Sequence, residues 1–306
     1  MLTKNHRLQF IALLLVLILG AITTPLCQTP STDEYDVIKV DTNLVSLNVS
    51  VTSKNDRPIT GLVANNFQIL DDGVEIKPEY FDTQGPASIV FVIDTSTSMR
   101  GEKWNNLRQG LKEFLKKQKE ADYTLITFNE CPELITQSTN AETLWTTLNK
   151  IRPDGETAIY DGLLLALNQA TTTARRHTAI ILISDGADNR STATLSDIEQ
   201  RVLSTHATIY AVGILLDKRQ APQDQWRGQE LLVNLASTTG GLNFFPTPLK
   251  IEKTLNEITA EITHQYSFGY YPLSKTQGVR TIEVNLLKSN LRQTTKLRYQ
   301  SKYIYK

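Results

Sequence analysis

Three segments of the sequence carry oxygen-bearing side chains beside apolar runs or glycine turns; they are residues 88–99, 155–162 and 180–186. The first is an apolar run that ends in Asp94-x-Ser96-x-Ser98. A short apolar run bounded by turn residues is typical of a buried strand, so three oxygen side chains follow the end of that strand. Because magnesium, manganese and calcium prefer carboxylate and hydroxyl oxygens, the segment predicts part of a hard-cation site.

The elements that must position these residues alternate between strands and helices from residue 87 onward. Predicted strands cover 88–94, 123–128, 177–183, 208–212 and 242–245. Predicted helices cover 104–115, 141–151, 158–174, 195–204, 225–237 and 249–263. This alternation predicts an α/β fold with a doubly wound, mainly parallel sheet. Ligands of such sheets collect at the carboxyl ends of the strands, so Asp94 and Asp185 should share one rim, which the loop carrying Thr157 can approach.

The three segments, in this order, resemble the von Willebrand factor type A domain and its metal-ion-dependent adhesion site, over about residues 87–263. The resemblance implies that the hydroxyl groups of Ser96, Ser98 and Thr157 bind the ion directly. It implies that Asp94 and Asp185 act largely through bound water. We expect Mg²⁺ or Mn²⁺, with Ca²⁺ as a third candidate. A cation held mainly by neutral hydroxyls keeps much of its charge, so a Glu or Asp carboxylate of a partner protein is the expected further ligand.

Each segment also has an ordinary structural explanation when it is considered alone. Residues 94–98 suit a helix cap or a turn, Thr157 suits an N-cap, and residues 184–186 suit a turn. Their joint occurrence in order, each at a predicted strand or helix boundary, favours the metal site. Neighbouring polar side chains that we predict to be loop or capping groups rather than ligands are Asp161, Asp188 and Asn189.

Both ends of the chain predict β-strands without helices. Between residues 45 and 51 apolar and polar residues alternate, and further strands are predicted at 67–70, 74–81, 266–271, 279–287 and 295–305. Neither set can bury both faces alone, so we predict one small antiparallel β-sandwich with the α/β domain inserted in it; two separate β units are the alternative. The predicted limits are 1–27 for a signal peptide, 28–86 for the N-terminal β segment, 87–264 for the type A domain and 265–306 for the C-terminal β segment.

The N-terminus predicts export. Lys4 and Arg7 precede a short, almost wholly apolar stretch, which favours an export signal over a spanning helix. Residues 60–73 also resemble a family of exported bacterial proteins with von Willebrand factor type A domains. We expect a periplasmic, cell-surface or secreted protein, attached to a membrane only if this segment is uncleaved or Cys27 is lipidated. Removal of residues 1–27 leaves Cys131 as the single cysteine, so no internal disulfide is expected.

The balanced charge and the absence of common catalytic motifs argue against nucleic-acid binding and against catalysis. Lys+Arg and Asp+Glu both total 32, so no basic excess indicates nucleic acid as a partner. The sequence contains no Gly-x-Ser-x-Gly, phosphate-loop or His-Glu-x-x-His motif, and its histidines suit structural hydrogen bonding. We therefore expect no enzyme but an adhesion or interaction module that captures an acidic side chain through the ion. The alternatives are a scaffold whose ion only orders loops, and a metal-dependent hydrolase.

Overall fold

The computed structural model describes residues 44–83, 87–117, 122–138, 140–172, 177–186, 188–214, 223–288, 291 and 294–306. They all belong to one structural unit, Thr42–Lys306. The predicted signal peptide, with its cleavage and lipidation alternatives, lies outside the described residues. Within those residues, none of the helices has both the length and the apolar character that crossing a bilayer requires.

The order of strands and helices follows the predicted alternation. The strands are β1 Val45–Ser53, β2 Phe67–Asp71, β3 Val74–Ile76, β4 Tyr80–Asp82, β5 Ala87–Asp94, β6 Asp122–Phe128, β7 Pro132–Ser138, β8 His177–Ser184, β9 Thr208–Gly213, β10 Asn243–Phe244, β11 Tyr266–Tyr270, β12 Gly278–Leu286, β13 Thr295–Arg298 and β14 Lys302–Tyr305. The helices are α1 Glu102–Lys117, α2 Ala141–Leu148, α3 Ile159–Thr172, α4 Leu195–Leu203, α5 Gln223–Thr238 and α6 Ile251–Thr263. The helices are amphipathic: in α1, Leu107, Leu111 and Phe114 recur at helical spacing and are fully buried.

The central sheet has the strand order β10-β9-β8-β5-β6-β7. Its neighbouring strands are parallel except for β6 and β7, which pair antiparallel. β5 and β8 are nearly continuous apolar runs, as expected of parallel strands that are covered on both faces. The prediction of a doubly wound, mainly parallel sheet is confirmed. The sequence analysis missed β7, because this edge strand is largely polar and half-exposed and carries no strong apolar pattern.

Alternate residues of β5 enter two separate cores. Phe91 packs in the core beneath α1, α2 and α6, and Val92 packs in the core beneath α3, α4 and α5. On the first face α1 approaches α6 so closely that a Cβ atom at Gly110 would lie 2.8 Å from Cγ2 of Ile251. Since helices cover both faces of the sheet, the polar residues that end the strands gather at its rim.

The two ends of the chain form a small antiparallel sandwich. One sheet has the order β13-β1-β11-β4 and the other β14-β12-β2-β3, so each sheet mixes strands from before and after the α/β region. The sandwich core contains the alternating residues of β1, such as Leu47 and Val49, packed with Phe268 and other aromatic side chains. The predicted combination of an inserted α/β domain and a terminal β-sandwich is confirmed as a fold, while the domain limits given above remain predictions.

Two segments that were each predicted as one strand contain two strands, which belong to different sheets. The predicted strand 74–81 is divided into β3, which pairs with β2, and β4, which pairs with β11 in the other sheet. Pro78 lies between them and has no N–H for a ladder. The predicted strand 295–305 is likewise divided into β13 and β14, which pair with β1 and β12. A sandwich needs such crossings, and local alternation does not reveal them.

A buried polar network joins the end of α6 to the sandwich. The Oε1 atom of Glu261 accepts hydrogen bonds from the Ser50 hydroxyl at 3.1 Å and from Nη2 of Arg298 at 2.5 Å. Nε2 of Gln265 donates to the Ser50 hydroxyl at 3.1 Å and to the Tyr210 hydroxyl at 3.0 Å. Tyr210 belongs to β9, so these contacts link the helix, the central sheet and the sandwich.

Candidate metal centre

Adjacent strands β5 and β8 bring their terminal polar residues together at one rim. Asp94 ends β5 and is fully buried. Its Oδ1 atom accepts the backbone N–H of Ser96 at 2.8 Å, and its Oδ2 atom accepts the hydroxyl of Ser184 at 2.6 Å. Ser184 ends β8, and Asp185 follows directly. The strand register thus places the two predicted aspartates side by side.

Two serine hydroxyls lie next to this pair of aspartates. The hydroxyl oxygens of Ser96 and Ser98 are 2.9 Å apart, and the Ser98 hydroxyl donates to Oδ1 of Asp185 at 2.7 Å. Neighbouring ligands of an octahedral magnesium ion, each about 2.1 Å from the metal, are about 3.0 Å apart. These oxygens therefore fit a small hard cation in both chemistry and spacing. Ser96 is buried and Ser98 is exposed, so the cluster opens to the surface on one side.

The loop that carries Thr157 is joined to residues 95–97 by backbone hydrogen bonds. The backbone N–H of Thr97 donates to the carbonyl of Gly155 at 2.9 Å, and the N–H of Asp154 donates to the carbonyl of Thr95 at 2.8 Å. Gly155 has a φ of +81°, a left-handed conformation that favours glycine. The structure thus brings Asp94, Ser96, Ser98 and Asp185 into one hydrogen-bonded cluster and joins the loop of Thr157 to it through the backbone.

The neighbouring polar residues accept hydrogen bonds from backbone N–H groups of loops and of a helix start, and it remains a prediction that they are not ligands. The side-chain oxygen of Asn189 accepts the N–H of Thr157 at 2.8 Å, and the N–H of Asn189 donates to the carbonyl of Thr157 at 3.0 Å. Asp188 accepts the N–H of Ile159 at 2.9 Å in the first turn of α3. Asp161 accepts backbone N–H groups from residues 192 and 193. These contacts fix the loop that presents Thr157, a positioning effect that the sequence analysis missed.

Without a bound cation, the negative charge of Asp94 is destabilised. Burial, and then the negative charge of Asp185, raise the pKa of Asp94 to about 6. A raised carboxyl pKa means that the ionised form lacks sufficient compensating positive charge. A divalent cation would supply that charge. Among the described residues, no group of three or more His, Cys, Asp or Glu side chains could hold a metal, so the hydroxyl groups are essential to this candidate site.

Lys103 is a member of the cluster that the sequence analysis missed. It lies in the first turn of α1, and its Nζ atom forms an ion pair with Oδ2 of Asp185. Only 7% of Lys103 and 3% of Asp185 is exposed to solvent. A basic residue in the first turn of a helix opposes the helix dipole. That position, so close to the Asp94-x-Ser96-x-Ser98 segment, is the signal that could have indicated an anionic partner.

Comparison with known proteins supports the resemblance. Residues 89–187 match the family model of the von Willebrand factor type A domain. Inter-alpha-trypsin inhibitor heavy chain H3 of Mesocricetus auratus is 33% identical over 141 aligned positions, and that match covers 40% of this chain and 16% of that protein. Heavy chain H2 of Sus scrofa is 27% identical over 217 aligned positions, and that match covers 62% of this chain and 22% of that protein. The chain thus spans less than a quarter of the length of the curated relatives it matches.

A solved structure with a similar arrangement is the von Willebrand factor type A protein of Catenulispora acidiphila. It has a TM-score of 0.48 and 11% identity, with 85% of this chain and 72% of that chain covered. The family match, residues 89–187, lies within the α/β region of the chain. The chain contains a von Willebrand factor type A domain.

Proposed function

We propose that this protein is an exported adhesion module that captures an acidic side chain of another protein through a divalent cation. The observation that carries the proposal is the row of oxygens formed by Ser96, Ser98 and Asp185, with spacings of 2.9 and 2.7 Å beside the buried Asp94. The von Willebrand factor type A domain is a module for protein interaction and adhesion. The finer assignment to carboxylate capture is our inference from this geometry.

The proposed ligands divide into two groups. Ser96, Ser98 and Thr157 would offer neutral hydroxyl oxygens directly, and Asp94 and Asp185 would act largely through bound water. A divalent cation held in this way supplies an incompletely neutralised positive charge at the protein surface. The exposed side of the cluster at Ser98 is where a partner carboxylate can approach. The all-oxygen set favours Mg²⁺ or Mn²⁺, with Ca²⁺ as the third candidate.

The geometry gives less support to the two alternatives. An ion that only orders loops is not required, because direct backbone hydrogen bonds already join Thr97 to Gly155 and Asp154 to Thr95. A hydrolase would need a positioned general base, whereas both oxygens of Asp94 accept hydrogen bonds from Ser96 and Ser184. We therefore propose a binding function without catalysis, and no role for nucleic acid.

The test combines metal titration with a defined acidic probe. Mg²⁺ and Mn²⁺ are titrated by calorimetry into the wild-type protein, the Asp94→Ala variant and the Glu283→Ala variant, in which an exposed carboxylate outside the site is removed. Binding to an immobilised glutamate-rich peptide is then measured with and without chelator, with a glutamine-rich peptide as the control. We expect the wild-type protein and Glu283→Ala to bind both ion and acidic peptide, and Asp94→Ala to bind neither.

Three other results would contradict the proposal. Ion binding that raises thermal stability without any peptide binding would indicate a scaffold. Chelator-sensitive turnover on a panel of ester and phosphate substrates would indicate a hydrolase. Equal capture of the glutamate-rich and glutamine-rich peptides would show that the carboxylate is not the group recognised.

A further inference from the structure

Lys103 is a charged residue at the candidate site that the proposed ligand set does not include. Its ammonium group is paired with Oδ2 of Asp185, while Oδ1 of Asp185 accepts the Ser98 hydroxyl at 2.7 Å. Both oxygens of this aspartate are therefore engaged, one of them by a cation that belongs to the protein. The pair is nearly inaccessible to solvent.

The position of Lys103 is energetically unusual. Removing an ammonium group from water is costly unless it is paired, and the N-terminus of a helix disfavours a positive charge. Gly101, with a φ of +74°, lies immediately before α1, which begins at Glu102. The ion pair with Asp185 offsets both costs. A lysine that served only solubility would lie on the exposed face of α1. Lys116 and Lys117 are exposed in this way, and Lys112 is partly exposed.

Lys103 changes the net charge of the candidate site. Asp94 and Asp185 together carry two negative charges, and Lys103 adds one positive charge, which leaves a net charge of −1. A divalent cation brings the site to +1. Without the lysine the same site would be neutral after a divalent cation binds. A carboxylate is attracted to a positive site more strongly than to a neutral one.

We propose that Lys103 sets the charge of the metal centre, so that the centre binds a divalent cation less tightly, and a carboxylate on that cation more tightly, than the two aspartates alone would. This inference rests on the proposed metal-dependent capture. Lys103 acts through Asp185 and the local field, and is a positioning and specificity residue rather than a ligand. Selectivity for an acidic partner would then depend on a residue outside the oxygen set.

The test uses variants that change the charge of this side chain. Lys103→Met keeps a long apolar stem and removes the charge, Lys103→Gln is a polar neutral alternative, and Lys103→Arg retains the charge. Lys253→Met, at an exposed lysine of α6, is the matched control. Each protein is titrated with Mg²⁺ by calorimetry near neutral pH, and its melting temperature in chelator is recorded.

We expect the Mg²⁺ association constant of both neutral variants to be at least about tenfold higher than that of wild type. Even in water, the repulsion between a single and a double positive charge a few ångströms apart lowers a binding constant by about that factor. Lys103→Arg and Lys253→Met should remain close to wild type. In chelator the neutral variants should melt at lower temperature, since Asp185 loses its counter-charge.

A second titration in sodium acetate, compared with sodium chloride at equal ionic strength, reports the carboxylate. Because coupling between two ligands is reciprocal, acetate that binds the metal-loaded site raises the apparent Mg²⁺ affinity. We expect a larger acetate effect in wild type and Lys103→Arg than in Lys103→Met and Lys103→Gln.

The outcomes separate the two proposals. Unchanged or weaker Mg²⁺ binding by both neutral variants would overturn the role of Lys103 and leave metal-dependent capture intact. Absence of Mg²⁺ binding in wild type and in every variant would overturn both. Mg²⁺ binding in the neutral variants alone would support the role of Lys103 and contradict metal-dependent capture by the wild-type protein.

Discussion

The Asp94→Asn substitution should stabilise the metal-free protein at neutral pH while abolishing its binding of divalent cations. Asp94 is fully buried and lies next to Asp185. An asparagine keeps the shape and both contacts, because its oxygen can accept the N–H of Ser96 and its amide can donate to the Ser184 oxygen, in place of contacts of 2.8 and 2.6 Å. What it removes is the buried negative charge.

The magnitude follows from the shift in the carboxyl pKa. Burial, and then Asp185, raise the pKa of Asp94 from 3.8 to about 6. The folded state therefore favours the protonated form: stability is highest below the unfolded pKa, falls as pH rises between 3.8 and about 6, and is constant above that. With about 1.4 kcal/mol per pKa unit, the ionised carboxylate costs about 3 kcal/mol at neutral pH. The neutral asparagine should recover most of this.

The assay is urea denaturation in chelator at about pH 7.5, pH 5 and pH 4. The variant should exceed wild type in free energy of unfolding by about 3 kcal/mol at pH 7.5, by about 1.5 kcal/mol at pH 5 and by about 0.5 kcal/mol at pH 4. The same exchange at Asp56, an exposed residue paired with Lys296, should give no gain at any pH. Added Mg²⁺ should raise the stability of wild type but not of Asp94→Asn.

Two results would refute this reasoning. One is an Asp94→Asn variant that is no more stable than wild type at pH 7.5 in chelator. The other is a stability advantage that does not shrink toward pH 4, because the gain would then have a cause other than the buried charge. Confirmation would show that the site sacrifices stability for function.

Three further predictions concern the rest of the fold. Glu261→Ala leaves Arg298 unpaired at the junction of α6 and the sandwich and should lower the free energy of unfolding by about 3 kcal/mol in urea denaturation, more than Glu261→Gln. Burial lowers the pKa of His206 to about 4, so the free energy of unfolding should fall as pH drops below 6.5. Because the residue as a whole is only partly buried, we expect a fall of about 1–2 kcal/mol between about pH 7 and pH 5. The His206→Gln variant should not show this fall. Gly110→Ala should cost about 1–3 kcal/mol in the same assay because its Cβ would lie 2.8 Å from Ile251.

The order of elements in the α/β region, apart from β7, was predictable because the information is local. An apolar run such as 88–94 and a helical spacing such as that of Leu107 and Leu111 act within a few residues. The strand boundaries at Asp94 and Ser184 are also local, since each apolar run stops there. The general rule for parallel sheets then places both ends at one rim.

The divided strands were not predictable in the same way. Residues 74–81 and 295–305 were each predicted as one strand, yet each supplies strands to two sheets. The choice of partner depends on the sandwich core, in which residues such as Leu47 and Phe268, far apart in sequence, pack together. Pro78 indicates a break but not the sheet to which the following residues belong.

By itself, the sequence determined the type and order of the elements of the α/β region except β7, and the oxygen side chains at their ends, because these depend on periodicity and side-chain chemistry over short distances. Only the tertiary structure decided that Lys103 pairs with Asp185, that Asn189 holds Thr157, and that the two ends of the chain share one core. Such contacts join residues tens to hundreds of positions apart. They form only when packing of the whole fold repays the entropy of bringing distant segments together.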